Sequence, residues 1–262
     1  MRRRFAAAAG ALILAAFVTG CGDDSATEPS GADEFTRKAI IAVWAPTPLD
    51  KPFNEFAADD KLNTQMSFSG ANVLARELPN AEVPPDLIVA DSESLIDGLA
   101  ADDLVQGPVP IATDELVLAV PKDSKIESLE DVAAPGVTIA AGAEGVPVGD
   151  YAREAIGQLP GTESTAILGN LSPEGANNNG IIETVVKGQA DAAFLYATDV
   201  ASHSDKLRAV ELPAGIRPDI VYVGAIVEDA ANQPGGRHLL DAMVDGDGVR
   251  YLKRHGFGPP PG

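Results

Sequence analysis

Short apolar runs recur along this chain, separated by stretches in which apolar residues return at helical spacing. The runs are AIIAVW (39–44), DLIVA (86–90), ELVLAV (115–120), VTIAA (137–141), DAAFLY (191–196) and DIVYVGAIV (219–227). Most are near-continuous in Val, Ile, Leu, Ala and aromatic residues, the pattern of strands buried on both faces. Between them Leu74 and Leu78 mark one helix face, and Ala152, Ala155, Ile156 and Leu159 mark a second. Ile181, Ile182, Val185 and Val186 mark a third, with Gly188 placed to end it. Strands alternating with helices predict parallel α/β sheets. No repeat at solenoid period interrupts the alternation.

Several predicted strand ends run straight into helix starts. Asp50 precedes a helix over 51–57, SGAN (69–72) opens the next, VGD (148–150) a third and NNNG (177–180) a fourth. A helix start presents backbone N–H groups with no intrahelical partner, at the positive end of the helix dipole. In open α/β sheets, ligands collect beyond the carboxyl ends of the strands. Four such starts facing one cleft make a nest for a small anion without a charged side chain. Taken singly, each is an ordinary cap.

The two ends of the chain read differently from the middle. Arg2, Arg3 and Arg4 precede a short apolar run over 5–18, and VTGC (18–21) follows. This is the layout of a secretory signal, too short for a comfortable membrane span. RRRF also loosely matches a twin-arginine export signal. Residues 22–37 are rich in Gly, Ser, Pro, Asp and Glu, cannot bury a core and read as a flexible tether. The tail GPPPG (258–262) reads as unpacked, so the expected folded unit spans about residues 38–257.

Composition and charge narrow the chemistry. The chain has 262 residues, 45% of them hydrophobic, enough for one or two domains with a real core. Its formal charge is −20; loss of the three N-terminal arginines leaves 16 basic against 39 acidic residues, a charge of −23. That balance argues against nucleic acid or an anionic membrane face as partner. Cys21 is the one cysteine, so no disulfide framework or thiolate metal cluster is available. His203, His238 and His255 lack metal-ligand spacing, and neither GxSxG nor a loop carrying GK[ST] occurs. DGDG (245–248) lacks the ligand sequence of a calcium loop and reads as a turn. An enzyme, a metal centre and a bound cofactor are therefore not expected.

Six stretches, in this order and spacing, carry a resemblance: FSGANVLAREL (68–78), ADSESLIDGLAADDLV (90–105), ELVLAVPKDSKIESLEDVA (115–133), VPVGDYAREAI (146–156), GQADAAFLYATDVAS (188–202) and YLKRHGF (251–257). Together they resemble the molybdate-binding proteins of ABC importers, a branch of the type II periplasmic binding proteins. VTGC likewise resembles the lipobox of bacterial lipoproteins. The resemblance implies an α/β fold of two lobes, each a mostly parallel sheet flanked by helices, joined by a two-stranded hinge. It places lobe 1 at 38–114 and 199–262 and lobe 2 at 115–198, behind a signal peptide (1–20) and a lipidated Cys21 with its tether (21–37). It further implies an exported, monomeric protein held to the cell membrane by lipid, which delivers a tetrahedral oxyanion such as molybdate or tungstate to a permease and ATPase.

The family's pocket wraps its anion in main-chain N–H groups, two serine hydroxyls and a tyrosine hydroxyl. The tyrosine corresponds to Tyr196, and the turn over 146–149 contributes backbone through Val148. The two serine positions hold Pro48 and Ala71, which carry no hydroxyl, and proline carries no N–H either. Thr47 is the neighbouring replacement for the first, and Ser69 and Asn72 for the second. A position where the family has valine holds Asn178. Loss of two hydroxyl contacts to a charged partner corresponds to about 3–6 kcal/mol. Three other readings stay open on these residues: another oxyanion, a small organic acid suited to asparagine amides, and a sensor or adhesion lipoprotein. Read without the family, Tyr196 is equally a packed strand aromatic, and Trp44 is a core residue.

Overall fold

A computed structural model describes residues 39–261. The expected signal, Cys21 and the tether lie outside the described residues. The first sheet contains β1 (Ile41–Pro46), β2 (Thr64–Ser69), β3 (Leu87–Ala90), β4 (Val105–Asp114) and β10, in the order β2-β1-β3-β10-β4. The second contains β5 (Leu116–Pro121), β6 (Ile139–Gly142), β7 (Leu171–Gly175), β8 (Ala192–Tyr196) and β9 (Leu207–Glu211), in the order β7-β6-β8-β5-β9. β10 spans Ile220–Val227 and returns the chain to the first sheet.

Both sheets are mostly parallel in strand direction, as expected, and each is made mixed by one strand that runs against the other four. β1 is parallel to β2 and β3, and β6 is parallel to β7 and β8. β10 runs antiparallel to β3 and β4, and β5 antiparallel to β8 and β9. The reason lies in the crossings. β4 passes through Glu115 into β5, and β9 leads into β10, so β5 and β10 each enter a lobe from the boundary between lobes. A strand that enters there runs away from the boundary, opposite to strands that carry their carboxyl ends toward it. The return to the first sheet lies between Glu211 and Ile220, later than the expected Asp199, because β9 pairs with β5 from Val117↔Glu211 to Pro121↔Leu207.

Residue type explains where each strand sits. All eight residues of β10 (IVYVGAIV) are buried, as befits a strand covered on both faces. β2 (TQMSFS) is a partly exposed edge strand. β4 carries Gly107, Pro108 and Pro110, residues a central strand does not accommodate; it lies at a sheet edge, with register shifts against β10.

The helices are α1 (Asp50–Asp59), α2 (Ala71–Glu77), α3 (Glu93–Ala101), α4 (Pro147–Gly157), α5 (Gly161–Gly169), α6 (Asn178–Val186), α7 (Ala197–Ser202), α8 (Gln233–Val244) and α9 (Val249–Arg254). The four expected helix starts are found at α1, α2, α4 and α6. Pro147 opens α4 at a position that needs no N–H. Asn177 caps α6 by accepting the Gly180 N–H at 3.0 Å. Gly188 follows the end of α6 at φ +69°, a left-handed conformation that costs glycine least.

One core runs through both lobes, from Ile41, Leu49 and Phe53 to Ile139, Ile156 and Phe194. A second cluster, including Ala71, Leu74, Ile88 and Ile96, packs α2 and α3 on the first sheet, with Trp44 half-buried at its margin. The tail is partly packed, contrary to expectation. Gly258 exchanges two backbone hydrogen bonds with Thr113 (2.9 and 3.1 Å), and the Thr113 hydroxyl donates to the Pro259 carbonyl at 3.0 Å. Residues 245–248 form the expected turn before α9.

Candidate functional site

The topology sends the carboxyl ends of β1, β2 and β3 in one lobe and of β6, β7 and β8 in the other toward the same boundary. The residues that follow those ends are therefore the ones that face each other. In the first lobe they are Thr47 and Pro48 after β1, Ser69 to Asn72 around the end of β2, and Asp91 after β3. In the second they are residues 143–150 after β6, 176–178 after β7, and Tyr196 at the end of β8.

Asp91 bridges the two lobes directly. Its carboxylate Oδ2 accepts the Tyr196 hydroxyl at 2.7 Å, and its main-chain carbonyl accepts the Tyr151 hydroxyl of α4 at 3.1 Å. Tyr196 is fully buried and Asp91 is 4% exposed. A second approach of the lobes occurs at Gly70, which precedes α2. A Cβ added there would lie 3.6 Å from the Ala176 carbonyl oxygen and 3.8 Å from the Asn177 Cβ.

The backbone at this boundary has the expected form. In α2 the Gly70 carbonyl takes the N–H groups of Val73 and Leu74, so Ala71 and Asn72 open the helix outside its own ladder. In α4 the Val146 carbonyl takes the N–H groups of Gly149 and Asp150, which leaves Val148 in the same position. Asn178 opens α6 behind its cap. Ala71, Val148 and Asn178 are all buried. The first turn of α4 reaches this place because Gly142 and Gly149 let strand and helix backbones meet. A Cβ on Gly142 would lie 2.7 Å from the Gly149 nitrogen.

Two of the expected side-chain donors are already engaged. Tyr196 gives its hydroxyl proton to Asp91, and the Asn178 amide donates to Asp199 Oδ2 at 2.6 Å. Thr47, Pro48 and Ser69 stand half-buried at the ends of β1 and β2, with Pro46 paired to Ser69. Asn72 is half-buried, but its Oδ1 is buried and has no hydrogen-bond partner.

Sequence reasoning did not single out the acidic residues here. Asp91, Asp114 and Asp199 are 4%, 8% and 5% exposed. Asp114 accepts the Thr198 hydroxyl at 2.5 Å, and Asp199 accepts from Asn178 and, at 3.3 Å, from the Tyr196 N–H. Burial raises all three carboxyls, against the hydrogen bonds that lower them: Asp91 to about 6, Asp114 to about 7 and Asp199 to about 7. The Tyr222 hydroxyl, buried beside the Tyr196 ring at a centroid distance of 6.3 Å, also lacks a partner, as does Asp91 Oδ1. No local sequence signal marks Asp91: it follows the apolar run 86–90 directly, inside a stretch quoted above only for the resemblance.

Residues 41–258 match the family model described as bacterial extracellular solute-binding protein. The molybdate-binding protein ModA of Mycobacterium tuberculosis is 26% identical over 257 residues, 95% of each chain. YvgL of Bacillus subtilis, named as an ABC transporter substrate-binding lipoprotein, is 22% identical over 98% of this chain and 99% of its own. The periplasmic molybdate-binding protein of Azotobacter vinelandii superposes with a TM-score of 0.71 at 17% identity, over 84% of this chain and all of its own, and so shares the two-lobed fold. The chain belongs to the bacterial extracellular solute-binding proteins, a family that binds solutes rather than transforming them.

Proposed function

We propose that this protein is the solute-capturing component of an ABC importer and that it closes its two lobes around a tetrahedral oxyanion. It is exported, monomeric, and held at the outer face of the cell membrane by a lipidated Cys21; its partners are the anion and a permease with its ATPase. The observation that supports this reading is the meeting of strand ends at the lobe boundary, where Ala71, Val148 and Asn178 stand at three helix starts and Tyr196 ends β8. Helix starts bind anions through unpaired N–H groups and dipoles, which suits a chain of −20 with no basic funnel in its sequence. The lipid anchor is supported by VTGC at 18–21 and by the named lipoprotein relative. No helix among the described residues is long and apolar enough to cross a membrane.

Replacement of the family's serines by Pro48 and Ala71 shifts the burden onto backbone donors and leaves the choice of oxyanion open to the side chains around them. A thermal-shift panel of molybdate, tungstate, sulfate and phosphate tests the class. Binding to the native state alone adds about 2.7 kcal/mol at one hundred times Kd. For a chain of this size that raises Tm by about 5–11 °C with at least one of the four anions. No shift with any of them removes the oxyanion reading and favours a small organic acid.

A further inference from the structure

We propose that the C-terminal segment 256–261 is a strap across the hinge. It clamps the first chain crossing, touches both lobes, and holds them in the approach that brings Asp91 to Tyr196. The inference concerns how the lobes move and stands whichever solute the cleft takes.

A hinge opens by changing φ and ψ at a few residues between rigid bodies. Here the chain crosses twice, at Glu115 between β4 and β5 and over 212–219 between β9 and β10. The end of β4 is held on both sides. Thr113 and Asp114 are in register with Val221 and Ile220 of β10. On the other side the Thr113 N–H donates to the Gly258 carbonyl at 3.1 Å, and the Thr113 carbonyl accepts the Gly258 N–H at 2.9 Å. β4 is thereby fixed almost to the crossing itself. The pairing needs glycine at 258, because a Cβ there would run into the Thr113 hydroxyl. That hydroxyl instead donates to the Pro259 carbonyl at 3.0 Å. The prolines over 259–261 have no N–H to extend the ladder and fix φ, so the segment ends stiffly. Pro261 lines a cavity together with Glu115 of the first crossing and Arg217, Pro218 and Asp219 of the second. Arg217 joins the same two crossings, 3.7 Å from the Glu115 carboxylate and 2.9 Å from that of Glu211.

The segment starts from a fixed anchor and meets lobe 2 on its way. Phe257 is buried and packs edge-on against Tyr222 at a centroid distance of 5.2 Å; Tyr222 packs against Tyr196 of the other lobe at 6.3 Å. Gly256 turns the chain at φ +93° beside α7, where a Cβ would lie 3.8 Å from Thr198 Cγ2. Thr198 in turn gives its hydroxyl proton to Asp114 at 2.5 Å. One short segment thus touches the end of β4 in lobe 1 and the start of α7 in lobe 2. Rotating the lobes against each other strains the Gly258–Thr113 pair or parts Gly256 from Thr198. In the arrangement that satisfies both contacts, the Tyr196–Asp91 bond between lobes is also made. The strap therefore favours the closed approach, and its loss favours opening.

Energy transfer from Trp44, the one tryptophan of the chain, reads the lobe separation in the full chain without any solute. Trp44 lies in lobe 1. A dansyl acceptor is attached at Thr162→Cys, on the exposed start of α5 in lobe 2, with Cys21→Ser removing the native thiol. Deleting residues 258–262, which leaves Phe257 in place, is expected to lower the transfer efficiency while far-UV circular dichroism stays unchanged. Gly258→Val, which keeps the chain length and blocks the pairing, is expected to lower it as well. Transfer equal to or above that of the labelled parent in either folded variant overturns the inference. Unfolding of both also overturns it, since the segment would then be part of the core rather than a strap. Because no anion is added, either failure leaves the solute-binding reading untouched.

Discussion

Gly149→Val is expected to destabilise the protein by about 3 kcal/mol or more, lowering Tm by roughly 6–12 °C, and to abolish anion binding. Gly149 lies in the first turn of α4, where a Cβ would run into the carbonyl groups of Gly142 and Ala143. These are backbone atoms of β6 and the turn after it, so no side-chain rotation relieves the clash. The helix must move away from the strand, and the Val148 N–H moves with it. Gly157, at the other end of the same helix, is the matched comparison. Nothing lies within 4 Å of a Cβ built there, and its φ is not in the left-handed range. Gly157→Ala should therefore stabilise by about 0.4–1 kcal/mol, chiefly by restricting the unfolded chain. Thermal melts of the two variants give opposite signs if the close approach at Gly142 governs the site. Equal, small effects would mean that α4 shifts without cost.

Stability is expected to fall as pH rises from about 4 to about 7, by on the order of 5 kcal/mol. Burial raises the carboxyls of Asp91, Asp114 and Asp199 to about 6, 7 and 7 in the fold, whereas in the unfolded chain they ionise near 3.8. Between these values the native state binds more protons than the unfolded one, and stability declines with pH. Above the folded values these three groups add no further slope. Glu55, Asp131 and Glu183 are lowered instead, by His255, by backbone N–H groups of Glu127 and Ser128, and by Lys187 respectively. Their contribution is present above their ordinary range and lost only as pH falls through their folded values, below the window of the buried three. Urea midpoints at pH 5 and pH 8 check the sign. A higher midpoint at pH 8 would mean that the three acids are compensated by partners in the fold.

How legible all this was in the sequence depended on residue chemistry. β3, β5, β8 and β10 announce themselves because buried strands are continuous apolar runs. β4 does not, since Gly107, Pro108 and Pro110 read as breakers, and only its place at a sheet edge makes them tolerable. β2, with Met66 and Phe68 as its apolar residues, carries too little pattern to stand out. The direction of β5 and β10 follows from which strands cross between lobes, a nonlocal property absent from any single segment. The helix starts at 50, 71, 147 and 178 were readable from proline, glycine and asparagine, because capping is local. The engagement of Asn178 by Asp199 and of Tyr196 by Asp91 was not, because those partners are 21 and 105 residues away. A buried aspartate looks the same as a solvated one until the fold encloses it.

In the proposed mode of binding, backbone N–H groups at converging helix starts grip the anion. Hydrogen exchange read by mass spectrometry, with and without a saturating concentration of whichever of molybdate, tungstate, sulfate and phosphate raises Tm, tests it most directly. Slowed exchange is predicted in peptides covering residues 69–73, 146–151 and 177–180, where Ala71, Val148 and Asn178 offer their N–H groups, with smaller changes in the outer helices. Unchanged exchange in those three segments, alongside measurable binding, would place the anion elsewhere and contradict the account.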